Sequence, residues 1–146
     1  MFIPIDRARD VPVCRSVMEL MGNSPSYLFG DVSSADVAIG VISRMKLIVS
    51  MRLHALVFAA GQDVPVIGAV YDPKVSSFLD YIGVKSHAPL QDITEEFLIQ
   101  WIDEYASGRM SAKGAEDILK LEKRNGEIAS ELLTGSSSAV SGQGEN

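Results

Sequence analysis

Leu47-Ile48-Val49-Ser50-Met51-Arg52-Leu53-His54-Ala55-Leu56-Val57-Phe58-Ala59-Ala60 is the stretch on which the reading of this 146-residue chain turns. Leu47 to Val49 is a short apolar run of the kind that fills a buried strand. Ser50 then offers a helix N-cap, and Met51 to Ala60 reads as a helix with Leu53, Leu56, Val57 and Ala60 on one face. Gly61 is a suitable stop. Val64 to Val70 is a second apolar run, with Pro65 near its start, where a missing amide is tolerated. A strand, a helix and a strand in so short a span make a βαβ unit, and βαβ units make parallel sheets.

The same rhythm extends upstream. Phe2 to Ile5 reads as a strand. Asp10 can cap a helix with Pro12 in its first turn and Val13, Cys14, Val17, Met18 and Met21 as its apolar stripe. Gly22-Asn23-Ser24-Pro25 ends it. Tyr27 to Phe29 reads as a further strand, and Ser33 or Ser34 caps a helix with Val37, Ala38, Val41, Ile42 and Met45 inward. Downstream, Asp72-Pro73 opens a short helix carrying Val75, Phe78, Leu79 and Ile82. Thr94 caps another, with Glu95 and Glu96 in its first turn, where acids complement the dipole, and Phe97, Leu98, Trp101, Ile102 and Tyr105 as its buried face. Ser111 opens a last helix with Leu121, Ile128 and Leu132 on its apolar side and Asn125 among them. The expected fold is α/β: a Rossmann-like, doubly wound parallel sheet over residues 1–133, with a helical C-terminal extension. Residues 134–146, rich in Gly and Ser, read as a disordered tail.

Composition limits the function. Hydrophobic residues are 47% and charged residues 22%, ordinary for a globular domain. A formal net charge of −6 argues against nucleic acid or an anionic membrane as a partner. The single cysteine, Cys14, excludes an intramolecular disulfide and a cysteine metal cluster, and fits a reducing, cytoplasmic setting. Cys14 on an apolar stripe reads as core. No apolar run reaches the length of a membrane span, and Met1 to Asp6 lacks the basic lead-in and length of a signal peptide. No spacing of His, Asp and Glu suggests a metal site, and no cofactor is expected.

The chemistry concentrates at Ser50 to His54. In parallel sheets ligands bind beyond the carboxyl ends of the strands, where the next helices begin. A helix mouth there presents free amides and about half a positive charge, which suits phosphate or carboxylate. Arg52 adds a planar fork for bidentate binding, and His54 a donor or a proton near neutral pH. The plainer reading makes Ser50 a cap, Arg52 a solvated side chain and His54 a surface histidine. Asp72 and Lys74 follow the next strand at the same edge. They can meet a sugar hydroxyl and an anion, or serve only to start the helix at Pro73. Asp6, Arg7 and Arg9, and Asp31 with Ser33, follow the upstream strands and read as loop or cap residues. His87 reads as a surface residue of a loop, and Trp101 and Tyr105 as core.

Ile48 to Ala60, together with Val64-Pro65-Val66-Ile67-Gly68, Tyr71-Asp72-Pro73-Lys74-Val75 and Phe78-Leu79, resembles the signature of the polysaccharide pyruvyltransferases, above all the bacterial cell-wall branch that modifies S-layer-anchoring polysaccharide. The resemblance runs from about Phe2 to about Leu133, with Asn125 and Glu131-Leu132-Leu133 like the closing helix of those enzymes. It implies the C-terminal half of a two-domain, GT-B-type architecture. It also implies transfer of a pyruvyl group from phosphoenolpyruvate onto two sugar hydroxyls as a cyclic ketal. In that family the Arg-Leu-His element contacts phosphoenolpyruvate, which points here to Arg52, the backbone of Leu53, and His54. Arg52 and His54 are then the expected catalytic pair. Ser50, Arg52, Leu53, His54, Asp72 and Lys74 are the expected substrate-binding set.

The resemblance also implies a missing partner. The family's cleft lies between two domains, and this chain resembles one of them, opening as if inside it. The expectation is a donor-binding half that is inactive alone and takes a saccharide acceptor only when complemented by an N-terminal half. An uncovered edge at Phe2 to Ile5 adds an expectation of pairing, with that half or with a second copy. Two other readings stay open: a non-catalytic remnant that binds anions, and the nucleotide-sugar-binding half of a GT-B glycosyltransferase.

Overall fold

A computed structural model describes residues 1–30, 32–108 and 115–134. The elements, in order, are α1 (Arg7–Leu20), α2 (Ala35–Ile42), β1 (Ile48–Ser50), α3 (Leu53–Ala60), β2 (Val66–Val70), α4 (Pro73–Tyr81), β3 (His87–Pro89), α5 (Glu95–Ala106) and α6 (Ala115–Thr134). A single 3-10 turn, Leu90–Asp92, separates β3 from α5.

The βαβ reading of the opening stretch holds. β1 pairs in parallel with β2, Ile48 opposite Val66 and Ser50 opposite Gly68. β2 pairs in parallel with β3, Gly68 opposite His87 and Val70 opposite Pro89. The sheet order is β1-β2-β3. Side chains of register partners share a face, so Ile48 and Val66 project together into one cluster with Ile42 of α2, Leu56 of α3 and Val75 and Leu79 of α4. The crossover helices α3 and α4 both cover that face. Strands laid side by side in chain order require this of right-handed crossovers. The expected doubly wound sheet, with its reversal of strand order, is therefore not present among the described residues. On the other face Ile67 is fully buried, but its partner Val49 is 53% exposed.

The two upstream strands are reduced to one parallel bridge between Phe2 and Leu28. The Phe2 amide donates to the Tyr27 carbonyl at 2.7 Å and the Phe29 amide to the Phe2 carbonyl at 2.9 Å. The next rung needs an amide at residue 4, and Pro4 has none, so the ladder stops there. β3 was expected as loop. Its sequence, His87-Ala88-Pro89, has no β-branched run, but it lies at the sheet edge, where a terminal proline costs little.

Helix boundaries follow the capping chemistry with two shifts. α1 starts at Asp6 rather than Asp10: the Asp6 side chain accepts from the Arg9 amide, and Pro12 falls inside the helix. α3 starts at Leu53, with Arg52 rather than Ser50 at the N-cap position. Its buried face is Ala55, Leu56, Ala59 and Ala60. Three alanines there let the helix approach the sheet closely. α2 and α5 start at Ser34 and Thr94, whose hydroxyls accept from Val37 and Phe97 amides. The apolar stripes of α1 and α5 were expected in the core, yet neither helix has a buried residue. Val13 is 62% exposed, Cys14 is half-buried, and Phe97 and Trp101 stack on each other with centroids 5.8 Å apart. Asn125 and Ile128 of α6 are exposed, and the side chains of Leu121 and Leu132, with Asp31, Ser111 and residues 135–146, lie outside the described residues.

α4 comes close to β2 at Gly68. A Cβ at Gly68 would stand 2.2 Å from Leu79 Cδ1 and 3.2 Å from His87 Cβ. Leu79 has no exposed surface into which to retreat. Gly68→Ala should therefore cost about 1–3 kcal/mol of stability in urea melts, the range for overpacked cores. The double variant Gly68→Ala/Leu79→Val should cost less than the sum of its parts, because the two changes relieve one another. Additive losses would show that the contact is not the source of the penalty.

Candidate functional site

Because β1 and β2 are parallel neighbours, both end at one edge, and the turns that follow them lie side by side. The first turn is Ser50-Met51-Arg52. The Ser50 hydroxyl accepts from the Arg52 amide at 2.9 Å, so Ser50 shapes the turn instead of capping the helix. α3 consequently begins without a side-chain cap, whereas Asp6, Ser34, Asp72 and Thr94 each cap the helix they precede. The first-turn amides of α3 lack the acceptor that a cap supplies, and the helix dipole adds to their pull on an anion.

Arg52 is held in place. Its Nη2 donates to Asp10 Oδ1 in a close ion pair across the N-termini of α3 and α1. The other carboxylate oxygen, Asp10 Oδ2, accepts from the Asp6 amide at 2.9 Å. Asp10 thus joins two helix mouths that lie far apart in sequence. The Arg52 guanidinium is held above its usual pKa, first by its hydrogen bond to Asp10, with further Coulombic support from Asp10, Asp6 and Tyr71. About a third of the side chain still faces solvent, and the guanidinium has N–H donors beyond the one that Asp10 takes.

Leu53 is half-buried at the first position of α3, and Leu53 backs the core cluster. His54 is exposed in the same turn, its ring tilted 46° to that of Phe58 with centroids 6.3 Å apart. The structure thus gathers Ser50, Arg52, Leu53 and His54 at one helix mouth. Asp72 and Lys74 lie on the adjoining turn and deal with each other. Asp72 Oδ1 accepts from the Lys74 amide at 3.0 Å as the cap of α4, and Lys74 Nζ lies 3.4 Å from Asp72 Oδ2. His87 is not a surface loop residue. It sits in β3 with its side chain 17% exposed and Nε2 3.2 Å from Asp80 Oδ1. No group of His, Cys, Asp and Glu among the described residues has the arrangement of a metal site. No described helix is long and apolar enough to cross a membrane.

Asp10 is the site residue that sequence reasoning missed. The signal was available only indirectly: two helix mouths at one sheet edge, one with an acid in its first turn and the other with an arginine.

The Asp72 cap carries a pH signature. Its carboxyl is held below the usual aspartate range, chiefly by the Lys74 amide. A depressed folded pKa adds stability above the unfolded value, near 3.9, and that stability is lost as pH falls through the folded value. Denaturant melts from about pH 6 to about pH 2 should therefore show an acid limb that Asp72→Asn flattens. An unchanged limb would assign it to other carboxylates.

A helix mouth with open amides and a tethered arginine, at the carboxyl edge of a parallel sheet, is the geometry on which family comparison bears. No curated protein and no solved structure matches the chain. The family model for polysaccharide pyruvyl transferase matches residues 1–73, a span that holds β1, the whole Ser50 to His54 turn, Asp10 and Asp72. Half of the sequence, including the residues that build this mouth, thus answers to one description, and the chain belongs to the polysaccharide pyruvyl transferase family.

Proposed function

We propose that the Ser50 to His54 mouth binds phosphoenolpyruvate, and that this chain is the donor-binding half of a pyruvyltransferase acting on bacterial cell-wall or exopolysaccharide sugars in the cytoplasm. The observation that carries the reading is the uncapped N-terminus of α3 beside the partly exposed Arg52. Phosphoenolpyruvate is an anion with two acceptor groups, phosphate and carboxylate. Open amides can take one and a guanidinium the other.

The transfer needs a sugar hydroxyl to add to C2 of the enol while C3 gains a proton. Phosphate then leaves with the C2–O electron pair, and a second hydroxyl closes the ketal. Arg52 neutralises charge on the donor as phosphate departs, an electrostatic contribution made in place. His54, exposed in the same turn, supplies either the proton or a further hydrogen bond. Lys74 and Asp72 stand beside the mouth, where the acceptor's hydroxyls would approach. The acceptor side of a GT-B-type cleft comes from another domain, so the chain by itself should turn over no substrate.

A second reading has its own observation. Arg52 and Lys74 are each already paired with an acid, Asp10 and Asp72. Residues so satisfied suit a module that binds anions weakly and without chemistry.

Calorimetry on the full chain separates these. Phosphoenolpyruvate should bind better than inorganic phosphate, and Arg52→Ala should weaken it by about 10- to 100-fold, the loss of charge-assisted hydrogen bonds. Equal, weak binding of phosphoenolpyruvate, phosphate and UDP would favour the anion module. Tight UDP binding would replace both with a nucleotide-sugar site.

A further inference from the structure

We propose that Asp10 is a positioning residue for the anion site: it aims the Arg52 fork over the mouth of α3, so its carboxylate strengthens anion binding although it is itself an anion. The inference rests on the reading of Ser50 to His54 as the anion site, and it concerns a residue on a different helix.

A free arginine side chain has rotamer entropy to lose on binding. In this chain that order is established beforehand, because Nη2 is fixed to Asp10 Oδ1. Asp10 cannot swing away with the guanidinium. Its second oxygen is tied to the Asp6 amide at 2.9 Å, and its backbone amide donates to the Asp6 carbonyl at 2.7 Å within the first turn of α1. The Asp10 side chain is only 18% exposed, so water competes poorly for the carboxylate. The guanidinium keeps further N–H donors besides the one that Asp10 takes, and about a third of the side chain is exposed beside the uncapped start of α3. An acid used this way leaves fewer donors to a ligand but holds them in one direction.

Two simple roles for Asp10 give opposite signs. If it acts only as a nearby negative charge, its neutralisation should strengthen anion binding. If it aims Arg52, neutralisation should weaken it. The test is calorimetry of phosphoenolpyruvate with the full-length wild type, Asp10→Asn and Asp10→Glu, with thermal melts of each. Asp10→Asn keeps the shape and an acceptor for the Asp6 amide but loses the ion pair. It should bind about tenfold more weakly while melting as a folded protein, since misplacing a binding group by about 1 Å has costs of this order or more. Asp10→Glu restores the carboxylate and should recover part of that loss, which a purely structural role would not do. Equal or tighter binding by Asp10→Asn overturns the inference and leaves the phosphoenolpyruvate reading intact. No recovery in a folded Asp10→Glu also overturns it. Absence of phosphoenolpyruvate binding by the wild type overturns both.

Discussion

The parallel pairing of Ile48–Ser50 with Val66–Val70 is the constraint from which the rest follows. Two parallel strands cannot be joined by a tight turn, so the chain must cross over through α3 and bury that helix on the sheet. The crossover sets the core, since Leu56 and Ala59 can pack on Ile48 and Val66 only from that side. It also sets the site. Both strands finish at the same edge, so α3 and α4 begin there together, and the Ser50 and Asp72 turns become neighbours. Gly68 belongs to the same constraint: the absence of a Cβ in the middle strand lets α4 settle against the sheet beside β3.

How much of this the residues disclose depends on the range of the interaction. The strand–helix–strand pattern of Leu47 to Val70 depends on neighbours in sequence, and it was legible. So were the caps at Asp72 and Thr94, and that at Ser34 with Ser33 as its alternative, each a side chain reaching an amide two or three residues on. The start of α3 was not, because the Ser50 hydroxyl has two amides within reach in principle and takes that of Arg52 inside the turn. The stripes of α1 and α5 show the limit of periodicity. Helical spacing says which side of a helix would face a core, but not whether anything covers it, and the described residues leave Val13, Phe97 and Ile102 exposed. Phe2 to Ile5 has the composition of a strand, yet one missing amide at Pro4 ends its ladder after a single bridge. The Asp10–Arg52 pair was beyond local reading altogether, because it exists only once the fold has brought the mouths of α1 and α3 together.

That pair also changes how an anion site in an acidic chain is to be understood. With a net charge of −6, the long-range field repels the proposed ligand. A lone arginine would offset this by its charge, and salt would screen the advantage within about 10 Å. Here the arginine's charge is largely matched by Asp10, so affinity cannot rest on net charge at the site. In the proposed site it would rest on directed donors: the open amides of α3 and the guanidinium N–H groups that Asp10 leaves unused. Directed hydrogen bonds discriminate by shape where charge does not. A site built this way would favour an anion whose acceptor groups match the spacing between helix amides and fork over one that is merely more highly charged. Under the proposed reading, two acceptor groups on a short rigid frame, as in phosphoenolpyruvate, would satisfy that demand better than a single phosphate.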